Sequence, residues 1–110
     1  MKVKNFDNIA PAFIQYNFYD IALCEYLLYK DVLKIVEYYF KNYFFDKITI
    51  KQAEAFALKY GGSLTQKEIA ERVYSSQPTI SRHITKAEEI AFNDIKLILE
   101  CISLWSQLKK

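Results

Sequence analysis

Two helix-start signals close together in the stretch 64–84 constrain the fold of this chain more than any other feature. Thr65 is followed three residues later by Glu68, the spacing at which each side chain satisfies a free backbone donor of the other residue. Ser76 is a second capping residue, and Pro78 follows in a first helical turn, where a missing N–H costs nothing. The stretch therefore predicts two short helices joined by a tight turn.

The apolar residues of this stretch fall on one face of each predicted helix. Ile69, Ala70 and Val73 line the first, and Ile80 and Ile84 line the second. The small Ala70 side chain lets the two helices approach closely. The polar side chains left facing outward are Thr79, Ser81, Arg82, His83 and Lys86. This pattern is typical of a helix-turn-helix, whose second helix can enter the major groove of DNA.

A third helix is predicted immediately before this pair. Thr49 and Gln52 repeat the capping-box spacing and open a helix over residues 50–60, with Ala53, Phe56 and Ala57 facing inward. Gly61 and Gly62 end that helix, where a residue that tolerates positive φ is usual. The three helices together form one unit.

The amino-terminal half is rich in aromatic residues. Residues 1–9 are expected to be a polar lead-in, followed by a helix over residues 11–29 with Pro11 in its first turn and a second helix over residues 31–44 capped by Asp31. One long, bent helix is the alternative. The run of aromatic residues over 38–45 could stack on nucleic acid, but we expect a core or an interface, because aromatics at helical spacing usually pack.

The last segment is expected to form a helix over residues 93–108, either separate or continuous with the helix that starts at Ser76. It carries two apolar stripes, which are wider than one contact needs. One comprises Ala87, Ala91, Ile95, Ile98, Ile102 and Trp105, and the other Leu97, Cys101, Leu104 and Leu108. They could pack on the amino-terminal helices, on a second copy of the chain, or on both. We expect a homodimer.

Composition supports a single all-α domain. Of the 110 residues 52% are hydrophobic and 25% are charged, and only two Gly and two Pro are present, which disfavours a turn-rich β fold. We expect an amino-terminal helical segment (1–47) for the core or oligomerisation, a DNA-binding unit (48–89) and a carboxy-terminal packing helix (90–110). All three belong to one compact domain.

Catalysis is not expected. The chain has one histidine, His83, no cluster with metal-ligand spacing and no glycine-rich phosphate loop, so neither a metal nor another cofactor is predicted. Cys24 and Cys101 lie far apart and are interpreted as free, buried thiols. With no signal peptide and no membrane-spanning run, the expected location is the cytoplasm.

A net charge of +2 is too small for binding nucleic acid by bulk charge, so DNA binding requires a localised site. The predicted DNA-contacting residues are Thr65, Gln66, Lys67, Ser76, Gln77, Thr79, Ser81, Arg82, His83 and Lys86. In this hypothesis Arg82 takes a guanine, Gln77 an adenine and Lys86 a phosphate. For His83, flanking the core is the alternative. The residues that start the earlier helix touch the backbone.

The stretch 48–89, with its Leu-Lys-Tyr-Gly-Gly corner, its L-T-x-x-E-I-A segment and its S-Q-P-T-I-S-R-H helix, resembles region four of bacterial sigma factors. In that family the region is a helix-turn-helix that reads the promoter −35 element. Tyr74 and Ser75 depart from the common Gly-aliphatic turn, and no other sigma region is recognised. The resemblance implies a small regulator of the phage or mobile-element type that binds double-stranded DNA. Two alternatives stay open: a phage DNA-packaging recognition subunit, and a partner of RNA polymerase that does not read DNA.

Overall fold

The computed structural model describes residues 6–17 and 29–108, and within them the chain is helical without any strand. The all-α prediction is confirmed. The elements in order are α1 (Phe6–Asn17), α2 (Tyr29–Asn42), a 3-10 turn (Phe44–Asp46), α3 (Ile50–Tyr60), α4 (Gln66–Arg72) and α5 (Gln77–Leu108).

The first helix begins earlier than the sequence indicates. α1 starts at Phe6, so residues 6–9 are not a polar lead-in, and Ile9 and Ala10 are fully buried. Pro11 lies inside the helix rather than in its first turn. Burial of the two apolar side chains stabilises this extra turn, although the proline removes one helical donor. The remainder of the predicted helix, residues 18–28, lies outside the described residues.

The second helix runs from Tyr29 to Asn42, close to the predicted 31–44. Asp31 lies in its first turn and is not the residue that precedes the helix, so its assignment as the cap is wrong. A carboxylate in a first turn still stabilises a helix through the helix dipole. The alternative of one bent helix concerns residues 18–28, which are not described.

Six of the aromatic side chains that the structure describes are buried together in one core, which we call the aromatic core. Phe13, Phe40, Phe44 and Phe56 are at most 1% exposed, and their ring centroids lie 4.6 to 5.9 Å apart in the pairs that touch. The prediction that these rings pack is therefore confirmed. The full set of buried members is Ile9, Ala10, Phe13, Ile14, Val32, Val36, Tyr39, Phe40, Phe44, Phe56, Tyr60, Ala87, Ala91, Ile95 and Leu99.

Tyr38 and Tyr43 do not join the aromatic core. Both side chains are more than half exposed, and their rings lie 5.8 Å apart at the end of α2. Because α2 ends at Asn42, the chain leaves helical geometry before Tyr43 could follow the buried face of that helix.

A second, smaller cluster holds α3, α4 and the start of α5 together, and we call it the small core. Its buried members are Ala55, Ile69, Ala70, Ile80 and Ile84. The inward prediction for the last four is confirmed, and the three helices form the expected unit. Ala55 was not predicted to be inward. α3 has two buried faces, with Phe56 in the aromatic core and Ala55 in the small one.

α5 is one continuous helix of 32 residues that contributes to both cores. Two of its carboxylates fix it to its neighbours. Glu88 accepts a hydrogen bond from the Lys59 ammonium at 2.7 Å and another from the Tyr60 hydroxyl. Asp94 accepts from Tyr39 at 2.5 Å and from Lys47 at 2.7 Å. Such charge-assisted bonds from separate elements set the angle at which α5 crosses them.

The two apolar stripes of α5 have different surroundings. Ala87, Ala91 and Ile95 are buried, as expected, and Leu99 completes their face. The second stripe, Leu97, Cys101, Leu104 and Leu108, is exposed. The prediction of a buried thiol is thus wrong for Cys101, because that residue points away from the inward face. Cys24 lies outside the described residues.

The glycine pair ends α3 as predicted, but not through positive φ. Gly61 has a φ of −87°, and the positive φ of 56° belongs to Ser63. Gly62 is required by close approach instead. A Cβ at Gly62 would lie 2.9 Å from the carbonyl oxygen of Leu58, which any larger residue would have to displace.

Candidate nucleic-acid interface

The start of α4 is fixed by the predicted capping box. The Thr65 hydroxyl accepts a hydrogen bond from the Glu68 backbone N–H at 3.2 Å, and the Glu68 carboxylate accepts one from the Thr65 backbone N–H at 3.0 Å. Hydrogen bonds from Thr65 to the Glu68 carboxylate, first from the backbone N–H and then from the side chain, lower the pKa of Glu68, which stays charged. Gln66 and Lys67 are exposed beside this cap.

The turn between α4 and α5 uses left-handed backbone at a residue other than glycine. Tyr74 has a φ of 55° and is 97% exposed, while the backbone N–H of Ser75 bonds back to the carbonyl of Ala70 at 2.9 Å. A tyrosine at such a position is strained by about 1 kcal/mol. The corner therefore closes with a Tyr-Ser pair in place of Gly-aliphatic.

α5 begins with Ser76 as its cap, as predicted. The Ser76 hydroxyl accepts from the Thr79 backbone N–H at 3.3 Å and donates to the Thr79 hydroxyl at 2.8 Å. The Arg82 guanidinium also approaches the Thr79 hydroxyl, at 3.4 Å. Ser76 and Thr79 are thus engaged with their neighbours, and Thr79 steadies Arg82.

The exposed face of the first turns of α5, which we call the outward face, consists of Pro78, Arg82, Thr85, Lys86 and Glu89. It lies opposite Ile80 and Ile84 of the small core. Thr85 was not among the predicted contacts, although its position three residues after Arg82 is a sufficient signal.

Two other predicted contacts, Ser81 and Gln77, lie beside or away from this face. Ser81 is half-buried on one flank. Gln77 is exposed at the tip of α5, but five residues before Arg82 it is turned about 140° away from it. Lys86 and Arg82 are therefore neighbours on one face, whereas Gln77 and Arg82 are not.

The sequence predicts that Thr79 and His83 face outward. In the structure both side chains are half-buried on the flank of α5 that faces α3. They line a cleft whose other wall is α3, and the alternative in which His83 flanks the core describes its position better. The cleft is lined by Lys51, Glu54, Ala55, Val73, Ser75, Thr79, Ile80 and His83. Sequence spacing could not reveal this cleft, because Lys51 and His83 come to line it only through the packing of α3 on α5.

The described part of the chain offers neither a metal site nor a membrane span. Across residues 6–17 and 29–108, no group of three or more His, Cys, Asp and Glu side chains could hold a metal ion. Among the helices of those same ranges, none is long and apolar enough to cross a membrane.

Comparison with known proteins places the same segment in a DNA-binding class. Residues 56–90 match the family model described as winged helix-turn-helix DNA-binding, which covers less than half of the chain. No curated protein and no solved structure matches the chain. The matched residues run from the middle of α3 through α4 into α5, and they contain a helix-turn-helix of the DNA-binding kind.

The described residues do not form the wing that the description of this family names. A wing is built from β-strands, and residues 6–17 and 29–108 contain no strand. Beyond Ile90, where the match ends, α5 continues without interruption to Leu108. The chain thus combines a helix-turn-helix with a long helical extension.

Proposed function

We propose that this chain is a sequence-specific regulator of transcription that binds double-stranded DNA by inserting the first turns of α5 into the major groove. One observation carries the proposal: within the matched segment, Arg82, Thr85 and Lys86 are exposed on one face while the opposite face is anchored in the small core. A recognition helix needs this arrangement, because base contacts require side chains held at fixed positions.

The contacts can be assigned by chemistry. Arg82 takes the O6 and N7 of a guanine, and its bond to Thr79 limits the rotamers that it has to lose. Lys86, one turn later, takes a phosphate. Gln66 and Lys67 at the start of α4 contact the backbone on the near side of the groove. Glu89 marks the end of the DNA-facing region, because its charge repels phosphate.

Selection of bound fragments from a genomic library with the purified chain tests this proposal. We expect an enriched motif whose recognition is lost in Arg82→Ala, at a cost of about 1–3 kcal/mol in binding free energy. Weak, sequence-independent binding with a steep salt dependence would contradict it. If no fragment is enriched, binding to RNA polymerase without DNA becomes the function to test. The proposed role involves no catalysis.

The resemblance to sigma region four extends this proposal to the kind of regulator. Its support is the order of α3, the glycine corner, α4 and the start of α5 around one small core. In this version the chain is a phage or mobile-element regulator that reads a promoter element beside RNA polymerase. Affinity capture with purified polymerase core enzyme tests that contact, and a chain that binds DNA but not polymerase would exclude it.

The homodimer expected from the sequence belongs to the same proposal. Leu97, Cys101, Leu104 and Leu108 are exposed at spacings of four, three and four, the repeat at which two helices pair along a seam. Sedimentation equilibrium over a range of concentrations measures the mass in solution, and Leu104→Glu should reduce any dimer. Purely monomeric behaviour would remove this part of the proposal.

A further inference from the structure

We infer that the cleft between α3 and α5 is a binding site for a backbone phosphate of DNA, with Lys51 as its main charge. The inference rests on the proposed function and extends the interface beyond the helix-turn-helix. Lys51 lies on α3, five residues before the matched segment begins. No spacing in the sequence connects it with α5.

The position of the cleft relative to the outward face supports this assignment. The polar part of its α5 wall is formed by Thr79 and His83, which flank Arg82 on the side of α3. When Arg82 enters a groove, the groups just beside it meet the sugar-phosphate strand that borders that groove. Lys51, exposed on the opposite wall, is then placed next to the same strand.

The polar groups of the cleft are mostly donors. The Thr79 oxygen already accepts hydrogen bonds from Ser76 and Arg82, so the proton of its own hydroxyl is left to donate. Lys51 offers an ammonium, and Ser75 a second hydroxyl. A phosphate, with acceptor oxygens only, is the DNA group that such a set recognises.

Glu54 is the one carboxylate in the cleft, and it gives the inference a test of opposite sign. It lies three residues after Lys51 on α3, so the two side chains are neighbours on the helix surface. Its charge opposes phosphate binding. Neutralising Glu54 should therefore tighten DNA binding, whereas removing Lys51 should weaken it.

The experiment measures binding of the full chain to an enriched duplex and to an unrelated duplex over a salt series. We expect Lys51→Ala to weaken both by roughly fivefold at low salt and to lower the slope against log salt by about one. Lys51→Arg should retain most of the affinity, and Glu54→Gln should raise it by about two- to threefold. Lys96→Ala, an exposed lysine on the distant half of α5, should match the wild type.

The outcomes separate this inference from the function on which it rests. If Arg82→Ala abolishes recognition of the motif while Lys51→Ala and Glu54→Gln bind like the wild type, the cleft is not a phosphate site and the proposed function stands. If no duplex binds the wild-type chain, both fail. Circular dichroism of each variant shows that its helices are intact.

Binding to duplexes that are changed at one base pair at a time tests whether His83 contacts a phosphate or a base. In a phosphate cleft, His83→Ala should lower affinity for every duplex alike, whereas Arg82→Ala should relax preference at one position. A change of preference at a single base pair in His83→Ala would overturn the placement of that residue in the phosphate site and return it to the base-contacting set.

Discussion

The two cores of this chain differ in what they are made of and in what they hold. The aromatic core joins α1, α2, α3 and the middle of α5 through large rings, whereas the small core joins α3, α4 and the start of α5 through alanines and isoleucines. Large rings bury more apolar area and contribute more stability. Small side chains let helices approach closely and fix their geometry. The aromatic core thus contributes most of the stability, while the small core positions the outward face, and α3 and α5 link the two clusters.

The largest loss of stability is expected from removing the ring of Phe56, which α3 contributes to the aromatic core. Phe56 is fully buried and its centroid lies 4.6 Å from those of both Phe44 and Tyr60. Phe56→Ala should lower the free energy of unfolding by about 3–5 kcal/mol through lost burial and a residual cavity. Urea denaturation followed by circular dichroism measures it. Tyr38→Ala, at an exposed ring, is the control, and equal losses would refute the contrast.

A smaller loss of stability but a larger loss of function is expected from the small core. Ile84 is buried on α5 opposite the outward face. Ile84→Ala should lower the free energy of unfolding by about 2–3 kcal/mol, at the lower end because a small cluster can partly collapse. DNA affinity, measured where the variant is still folded, should fall because α5 shifts. Unchanged affinity would show that the small core does not position the outward face.

The hydrogen bond from the Tyr39 hydroxyl to Asp94 ties the aromatic core to α5, and its contribution to stability should depend on pH. Burial, then the hydrogen bond and charge of Asp94, raise the pKa of Tyr39 far above its usual range. Tyr39→Phe should cost about 1 kcal/mol at neutral pH. Because the unfolded state loses this proton first, the stability of the wild type should fall as pH rises above about 10.

That alkaline decline should be weaker in Tyr39→Phe, so the difference between the two proteins should shrink as pH rises. Thermal unfolding at neutral and alkaline pH measures both slopes. Parallel pH curves for Tyr39→Phe and wild type would contradict the assignment.

The two capping boxes allow a matched comparison of the helices that meet at the small core. Thr49 caps α3 and Thr65 caps α4 with the same geometry, each accepting at 3.2 Å. Replacing either threonine by alanine should cost about 1 kcal/mol of stability. Thr65→Ala should also weaken DNA binding, because α4 has only seven residues and its start lies beside Lys67. If Thr49→Ala weakens DNA binding equally, the effect is global.

The smallest expected effect is a gain. Tyr74 occupies left-handed backbone and is almost fully exposed, so its side chain contributes little packing. Tyr74→Gly should raise stability by about 0.5 kcal/mol, the relief of strain exceeding the greater entropy of glycine in the unfolded chain. Melting temperature measures it. A destabilised variant would indicate a contact of Tyr74 that outweighs the strain.

Sequence patterns succeeded where one helix turn contains the whole interaction. The caps at Thr49, Thr65 and Ser76 were predictable because each side chain bonds to backbone three residues away. The inward positions of Ile80 and Ile84 follow from helical period in the same way. The glycine corner was correctly placed, although its φ values were not, since the close approach of Gly62 to Leu58 depends on local coordinates.

Prediction from the sequence failed where the burial or position of a residue depends on packing against a second helix. The start of α1 depends on the burial of Ile9 and Ala10, which only the other helices provide. The half-buried state of His83 and the role inferred for Lys51 depend on how α3 packs against α5. Thr85 is an exception, because its position on the outward face follows from helical spacing alone and could have been predicted.

The continuity of α5 has a consequence for how this chain could change over time. A single rod has a fixed phase, so Arg82 near one end and Leu97 towards the other point about 60° apart around the axis. Inserting one residue between them would turn the two ends by about 100° relative to each other, while a four-residue insertion would nearly restore the phase. Insertions and deletions in this helix should therefore be tolerated only in steps close to whole turns, because other lengths would change the angle between its two ends.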